Sequence, residues 1–192
     1  MTAQPDTGRT QAFVALLRGI NVGGRHKVPM AQLRAVCLNI GCADVRTYIQ
    51  SGNLVVTVSV SAAELETKLE SAIEREFGFV VPVIARSDSR WEHYVRMNPL
   101  IDDAQRDASR VLLVVSKLPP GRDAVARLRT VAAHEERIEQ QSDAIWIYYA
   151  SGIGRSKLTP SLLDRHVGSP VTARNWRTAL RLEQIVRESA DG

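Results

Sequence analysis

Residues 45–58 have the sequence VRTYIQSGNLVVTV, in which two β-rich runs flank a short polar turn. The turn Ser51-Gly52-Asn53 is typical of a β-hairpin joining strands at 45–50 and 54–58. An apolar strand at 13–17 and a helix at 29–40 precede the hairpin, and a helix and a strand at 80–85 follow it. The predicted order, βαββαβ, is that of a ferredoxin-like unit.

The second half of the chain repeats this order. It contains an apolar strand at 111–115, a helix at 123–133, and strands at 137–140 and 145–149 joined by Gln141-Ser142-Asp143. A short helix then begins at Thr159-Pro160 and ends near Gly168. The sequence therefore predicts an α+β fold with duplicated ferredoxin-like (βαββαβ) units plus a C-terminal helix.

The same patterns predict the domain boundaries. We expect a disordered N-terminus at 1–10, a first ferredoxin-like unit at 11–86, a helical linker at 87–108 and a second unit at 109–192, which includes the added helix. In the helix after Ser61, the spacing of Ser61 and Glu64 predicts a capping box. Its glutamates are expected to form a solvated face: Glu64, Glu66, Glu70, Glu74 and Glu76.

Charge is sorted along the chain. The segment between Asp6 and Glu64 contains six Lys and Arg residues and a single acid, Asp44. The segment between Asp143 and Glu183 also contains six Lys and Arg residues and a single acid, Asp164. Each segment therefore has a net charge of +5, although the whole chain has only +4. Such sorting indicates an anionic partner more than it indicates solubility alone.

Each basic segment contains a glycine-punctuated loop after a predicted strand, the first basic loop (residues 18–27) and the second basic loop (residues 152–157). Neither loop has the GxGxxG spacing of a dinucleotide site or the Gly-Lys-Ser/Thr order of a Walker A motif. Glycines allow backbone N–H groups to approach a ligand, and Arg and Lys donate charge-assisted hydrogen bonds to phosphate or carboxylate. The predicted ligand-binding residues of the two loops are Arg18, Asn21, Gly23, Gly24, Arg25, Lys27, Gly154, Arg155, Ser156 and Lys157.

Two further groups of polar residues are candidates for the same ligand. Gln50, Ser51 and Asn53 can hydrogen-bond a base, sugar or amide, although a turn of this composition is usually only a turn. Near the C-terminus, Thr172 is predicted to be the N-cap of the last helix. The first-turn N–H groups would then bind an anion together with Arg174, Asn175 and Arg177, while Trp176 packs inward.

Other sequence features bear on chemistry and compartment. The N-terminus lacks the apolar core of a signal peptide and no apolar run is long enough to span a bilayer, so we expect a cytoplasmic protein without a membrane partner. Cys37 and Cys42 are interpreted as reduced packing residues. No cofactor or metal is indicated, no Gly-x-Ser-x-Gly motif occurs, and His26 is the one weak candidate for a catalytic acid or base.

Several of these motifs resemble one known family. They are LLRGINVGG at 16–24, KVPM at 27–30, Leu33-Arg34, TYIQSGN at 47–53, GIGRSKL at 152–158 and TARNWRT at 172–178. Together they resemble the domain of unknown function 1697 family from about Phe13 to Leu182. Thr57 departs from the aromatic or apolar residue more usual at that position. The resemblance implies a bacterial cytoplasmic α+β protein with duplicated ferredoxin-like units, and it implies no activity.

The leading hypothesis is a module that binds a phosphate-bearing anion: a nucleotide, a phosphorylated metabolite or nucleic acid. One alternative is an enzyme that acts on a phosphorylated or carboxylated small molecule in the same basic pocket. Another is a protein-interaction module for an acidic partner. Convergence of the basic segments on one cleft would favour the enzyme, whereas a flat basic face would favour nucleic acid or protein. The sequence leaves the oligomeric state open.

Overall fold

The structure, a computed structural model of the 192-residue chain, describes residues 10–190. The chain folds into two compact units, the first comprising residues 10–91 and 182–190 and the second residues 92–181. The predicted disordered N-terminus lies outside the described residues except for Thr10. The sequence predicts that all of 109–192 belongs to the second unit, whereas residues 182–190 pack with the first.

The first unit contains a four-stranded sheet with helices packed on one face. Its elements are β1 (Gln11–Leu17), α1 (Met30–Asn39), β2 (Ala43–Tyr48), β3 (Asn53–Val58), α2 (Ala62–Phe77) and β4 (Val83–Ser87). The strand order is β2-β3-β1-β4, and every neighbouring pair is antiparallel. In this arrangement, the end of β1 lies beside the starts of β3 and β4.

The core of the first unit forms between one face of β1 and the apolar side of α2. Along β1, every second side chain points to this face. Phe13 and Leu17 of β1 are buried with Leu65, Leu69 and other apolar side chains of α2. The Ser61 half of the predicted capping box is confirmed, because the Ser61 hydroxyl accepts the Glu64 N–H at 3.3 Å, whereas Glu64 Oε1 lies 2.9 Å from Lys68 Nζ. Burial of these apolar side chains is the main favourable contribution to folding.

Two glutamates of α2 bind the edge strand β4. Glu66 Oε1 accepts the Ala85 N–H at 2.8 Å, and Glu70 Oε1 accepts the Val83 N–H at 2.9 Å. The prediction that the helix glutamates are all solvated is therefore wrong for Glu66, which is buried. Because β4 has no strand beyond it, its outward N–H groups need other acceptors, and these carboxylates supply them.

The segment after β4 and the second unit contain the remaining elements. They are α3 (Asp88–Arg96), α4 (Ile101–Arg106), β5 (Val111–Ser116), α5 (Ala124–Arg129), β6 (Arg137–Gln141), β7 (Ala144–Tyr148), a 3-10 helix at Ile153–Arg155, α6 (Pro160–Val167), β8 (Val171–Asn175) and α7 (Trp176–Ala190). The second sheet has the order β6-β7-β5-β8 and is again fully antiparallel. Its core includes Leu112, Leu128, Ile147 and Leu163.

The strand β8 corrects the prediction for the C-terminal region. The sequence predicts that Thr172 caps a helix, but Thr172 lies within β8 and is paired with Val115 of β5. The helix α7 begins at Trp176, and the Asn175 side chain accepts the Thr178 N–H at 2.9 Å. Local sequence does not reveal β8 because a five-residue strand is stabilised by its neighbour in the sheet rather than by its own propensity.

The α+β class predicted from the sequence is confirmed by the two antiparallel four-stranded sheets and their helices. Both sheets have the same relative strand order, with the first strand of each unit at an inner position. Within residues 10–190, no helix is long and apolar enough to cross a membrane.

Candidate functional site

The first basic loop is shaped by a tight turn at Val22–Arg25. The Arg25 N–H donates to the Val22 carbonyl at 3.1 Å, and the Asn21 N–H donates to the His26 carbonyl at 3.0 Å. The central residues Gly23 and Gly24 have φ values of 58° and 75°. Two successive residues with positive φ are characteristic of the primed turns found in hairpins, and glycine adopts them without strain. These two predicted ligand-binding glycines therefore have a structural role in the turn.

The Asn21 side chain fastens this loop to the hairpin turn between β2 and β3. Its Nδ2 donates to the Val28 carbonyl at 3.0 Å and to the Gln50 carbonyl at 2.9 Å, and its Oδ1 accepts the Val28 N–H at 2.8 Å. Both amide protons and the amide oxygen are therefore used within the protein. Asn21 holds the loop in position, and its φ of 55° places the backbone in the left-handed region that Asn tolerates.

The hairpin turn at 49–52 lies against the end of β1. The Leu17 N–H donates to the Gly52 carbonyl at 2.8 Å. The fully buried Asn53 donates from Nδ2 to the Tyr48 carbonyl at 3.0 Å and to the Ser51 hydroxyl at 2.9 Å. Asn53 thus stabilises the turn from inside the protein, whereas Gln50 and Ser51 are exposed beside it.

The first basic loop, this turn and the start of α1 surround a cavity of about 560 Å³, here called the α1 cavity. It is lined by Asn21, Gly24, Lys27, Val28, Pro29, Met30, Ala31 and Gln50. Among the described residues that line it, Lys27 is the one charged side chain. The first backbone hydrogen bond of α1 runs from Leu33 N to the Pro29 carbonyl, and Pro29 offers no capping side chain. The cavity therefore has a cation beside the positive end of a helix dipole.

The remaining charged and aromatic side chains of the first basic loop do not line this cavity. Arg18 is half-buried, and its N–H donates to the Pro82 carbonyl at 3.0 Å, while Arg25 is exposed. His26 is exposed and stacks on Phe79 with ring centroids 4.6 Å apart and an interplanar angle of 24°. Its Nδ1 lies 3.4 Å from the Gly19 carbonyl, which can only accept a hydrogen bond.

A second cavity in the first unit, of about 500 Å³, lies between the end of α1 and α2. Its lining residues Lys68 and Arg75 share the surface with Glu74, and Lys68 Nζ lies 2.9 Å from Glu64 Oε1. Carboxylates beside the cations reduce the attraction for an added anion. The α1 cavity is the better candidate of the two because its charge is not offset in this way.

In the second unit, the second basic loop forms the short 3-10 helix at Ile153–Arg155. Gly152 precedes it with a φ of 85°, and the Ser156 hydroxyl accepts the Leu158 N–H at 3.0 Å. The side chains of Arg155 and Lys157 are exposed, and so is Gly154. Convergence of this loop with the first basic loop stays a prediction.

The predicted anion site at the start of the last helix is misplaced, because that helix begins at Trp176 and Thr172 lies in β8. Arg174 lies in β8, where its Nη1 donates at 2.8 Å to the Thr172 hydroxyl and to the Ala173 carbonyl. Burial lowers the pKa of Arg174 to about 10. Asn175 accepts a first-turn N–H of α7, so this group is already bonded, while Arg177 remains exposed on that turn. Trp176 is buried and meets Trp146 edge-on at 5.6 Å, which confirms that it points inward.

The two cysteines have little reactivity in the folded protein. Cys37 and Cys42 are free and buried, and burial raises the pKa of both thiols, that of Cys37 to about 12. Both thiols therefore stay protonated near neutral pH. Among the described residues, no group of three or more His, Cys, Asp or Glu side chains is arranged to hold a metal ion.

Sequence reasoning missed two parts of this site. Phe79 had no signal that would pair it with His26, because the two residues are 53 positions apart and meet only through the fold of the first unit. The apolar lining by Val28, Met30 and Ala31 was also missed. The one local hint was Pro29, whose position at the start of α1 is predicted by the sequence.

Comparison with known proteins shows the family of this chain. No curated protein matches the chain. A solved structure, that of the conserved bacterial protein SP0830 from Streptococcus pneumoniae, is similar, with a TM-score of 0.74 and 26% sequence identity. The similarity covers 93% of this chain and 99% of that one. The family described as protein of unknown function (DUF1697) matches residues 10–146, a region that contains the first basic loop and the whole α1 cavity. The chain therefore belongs to the DUF1697 family.

Proposed function

We propose that the first unit binds a phosphate-bearing anion in the α1 cavity. The observation that carries this proposal is the cavity itself, which has Lys27 as its one charged lining residue among those described. Its volume of about 560 Å³ suits a small metabolite. The Lys27 ammonium would bind phosphate oxygens, the N–H groups of Met30 and Ala31 at the start of α1 would add donors, and the Gln50 amide would contact a neighbouring polar group.

The other basic residues would act at longer range or in their own unit. Arg18 and Arg25 belong to the same basic loop as Lys27, and their positive charge would raise the local concentration of an anion. In the second unit, we propose Gly154, Arg155, Ser156, Lys157 and Arg177 as further phosphate contacts, because their exposed cations lie in a segment with Asp164 as its single acid.

We further propose that the two units are duplicated ferredoxin-like units. The shared strand order supports this, and so do matching side-chain contacts. Arg86 in β4 and Arg174 in β8 each donate from Nη1 to the carbonyl of the preceding alanine. Glu70 and Asp164 each accept the N–H of the first residue of β4 or β8. Such paired details are expected when one ancestral unit has been copied.

We propose that the protein acts in the cytoplasm, where phosphorylated metabolites are abundant. The two buried thiols support this proposal, because free cysteines persist in a reducing compartment. The proposed ligand class and the proposed compartment are therefore mutually consistent.

Isothermal titration of the full chain with ribose 5-phosphate at low ionic strength tests the binding proposal. Lys27→Ala removes one charge-assisted hydrogen bond, worth about 1.5–3 kcal/mol, so we expect at least about a tenfold loss of affinity. Binding should also weaken as salt is added, because the attraction is largely electrostatic.

Lys68→Ala is the matched control, since it removes the same charge from an exposed lysine at the second cavity of the first unit. We expect this variant to bind like the wild type. Equal losses in both variants would mean that only net charge matters, and undiminished binding by Lys27→Ala would refute the site.

A further inference from the structure

The ring pair of His26 and Phe79 forms a small flat platform beside the α1 cavity. The rings are 4.6 Å apart and within 24° of parallel, which is a stacked arrangement. Phe79 is half-buried and packed against the core of the first unit. His26 is an exposed residue, and one face of its ring lies on the Phe79 ring.

The platform is held in place before any ligand arrives. The His26 carbonyl accepts the Asn21 N–H at 3.0 Å, and the ring Nδ1 contacts the Gly19 carbonyl at 3.4 Å. Asn21 is in turn bonded to Val28 and to the turn at Gln50. A ring whose position is fixed by its own backbone and by a neighbouring aromatic ring loses little freedom when a flat ligand stacks on it.

The residues on either side of His26 are cations. Arg25 precedes it and is exposed, and Lys27 follows it and lines the α1 cavity. The Cα atoms of residues adjacent in the chain are about 3.8 Å apart, so the side chains of His26 and Lys27 start from neighbouring points of the backbone, and one mononucleotide is long enough to contact both. Aromatic side chains interleaved with basic ones are the usual means of binding a base and its phosphate together.

We propose that the anion bound at the α1 cavity is a mononucleotide whose base stacks on His26 while its phosphate contacts Lys27. This inference rests on the proposed function and deepens it by naming the ligand class. A free mononucleotide is favoured over a nucleic-acid strand because the platform offers one ring for one base and adjoins a cavity of metabolite size.

The test compares AMP with ribose 5-phosphate by isothermal titration of the full chain. The two ligands share a sugar and a phosphate and differ in the base. We expect AMP to bind about tenfold more tightly, which is the usual scale of one base stacked on an aromatic side chain. His26→Asn should abolish this preference, so that AMP and ribose 5-phosphate bind the variant with equal affinity, because Asn removes the ring but tolerates the φ of 48° at this position.

A second variant and a third ligand distinguish the possible outcomes of this test. Phe79→Leu, which removes the supporting ring and keeps an apolar side chain, should also reduce the AMP preference, and circular dichroism checks that each variant is folded. Equal affinity of the wild type for AMP and ribose 5-phosphate would overturn the inference and leave the anion site standing. If neither ligand binds, the proposed function fails as well. A five-nucleotide RNA that binds far more tightly than AMP, with a steep salt dependence, would overturn the mononucleotide in favour of a single strand.

Discussion

The Gly52→Ala substitution should destabilise the first unit severely. A Cβ atom at position 52 would lie 2.7 Å from Leu17 Cβ, 3.0 Å from the Leu17 carbonyl oxygen and 3.1 Å from Ile20 Cδ1. Two of these neighbours belong to the buried backbone and Cβ of β1, so they cannot move aside cheaply. The φ of 74° adds a conformational cost of roughly 1–2 kcal/mol for a residue with a Cβ. Overpacking typically adds about 1–3 kcal/mol, so we expect a total loss of about 2–5 kcal/mol.

Urea unfolding followed by circular dichroism measures this loss. With a slope of about 2 kcal/mol per molar urea, the midpoint of the transition of the first unit should fall by about 1–2.5 M. Gly24→Ala is the matched control, because Gly24 has a φ of 75° but no atom within 4 Å of the added Cβ. This variant should lose only the conformational cost of about 1–2 kcal/mol. If the two variants were equally destabilised, the contact with Leu17 would have no energetic weight and the close-approach argument would be refuted.

Two further predictions concern groups away from the α1 cavity. Asn175→Ala should cost about 1 kcal/mol of unfolding free energy because α7 loses its N-cap, whereas Asn175→Asp should retain stability; equal unfolding midpoints for Ala and Asp would refute the cap. Cys37, whose pKa is raised to about 12 by burial, should resist iodoacetamide at pH 8 in the folded chain and react once urea unfolds it, as counted by mass spectrometry. Rapid labelling of Cys37 in the native protein would contradict its burial.

Much of the local structure of both units could be predicted from local patterns. The hairpin turn, which lies at 49–52 instead of the predicted 51–53, the Ser61 cap of α2 and the glycine at the end of α6 each appear in the structure at or near the place that the sequence indicates. These features depend on residues within one or two turns of each other, so their physical causes are contained in short segments. The charge sorting likewise follows from the sequence alone.

The roles of individual site residues could not be predicted in the same way. Asn21 and Asn53 are polar and lie at predicted turns, which makes them candidates for binding a ligand. In the structure, Asn21 hydrogen-bonds across 29 residues to Gln50, and Asn53 is buried beneath its own turn. A side chain's availability depends on which backbone groups lie near it in space, and that is a property of the packed chain.

The sequence by itself therefore determined the α+β class, the local turns and caps and the two basic segments. Only the tertiary structure decided that residues 171–175 form a strand, that Glu66 binds the edge of β4 and that His26 stacks on Phe79. Each of these depends on partners that are at least 19 residues away along the chain, or on a neighbouring strand such as β5. Local propensity is a weak bias at such positions, and burial together with backbone hydrogen bonding to distant partners outweighs it.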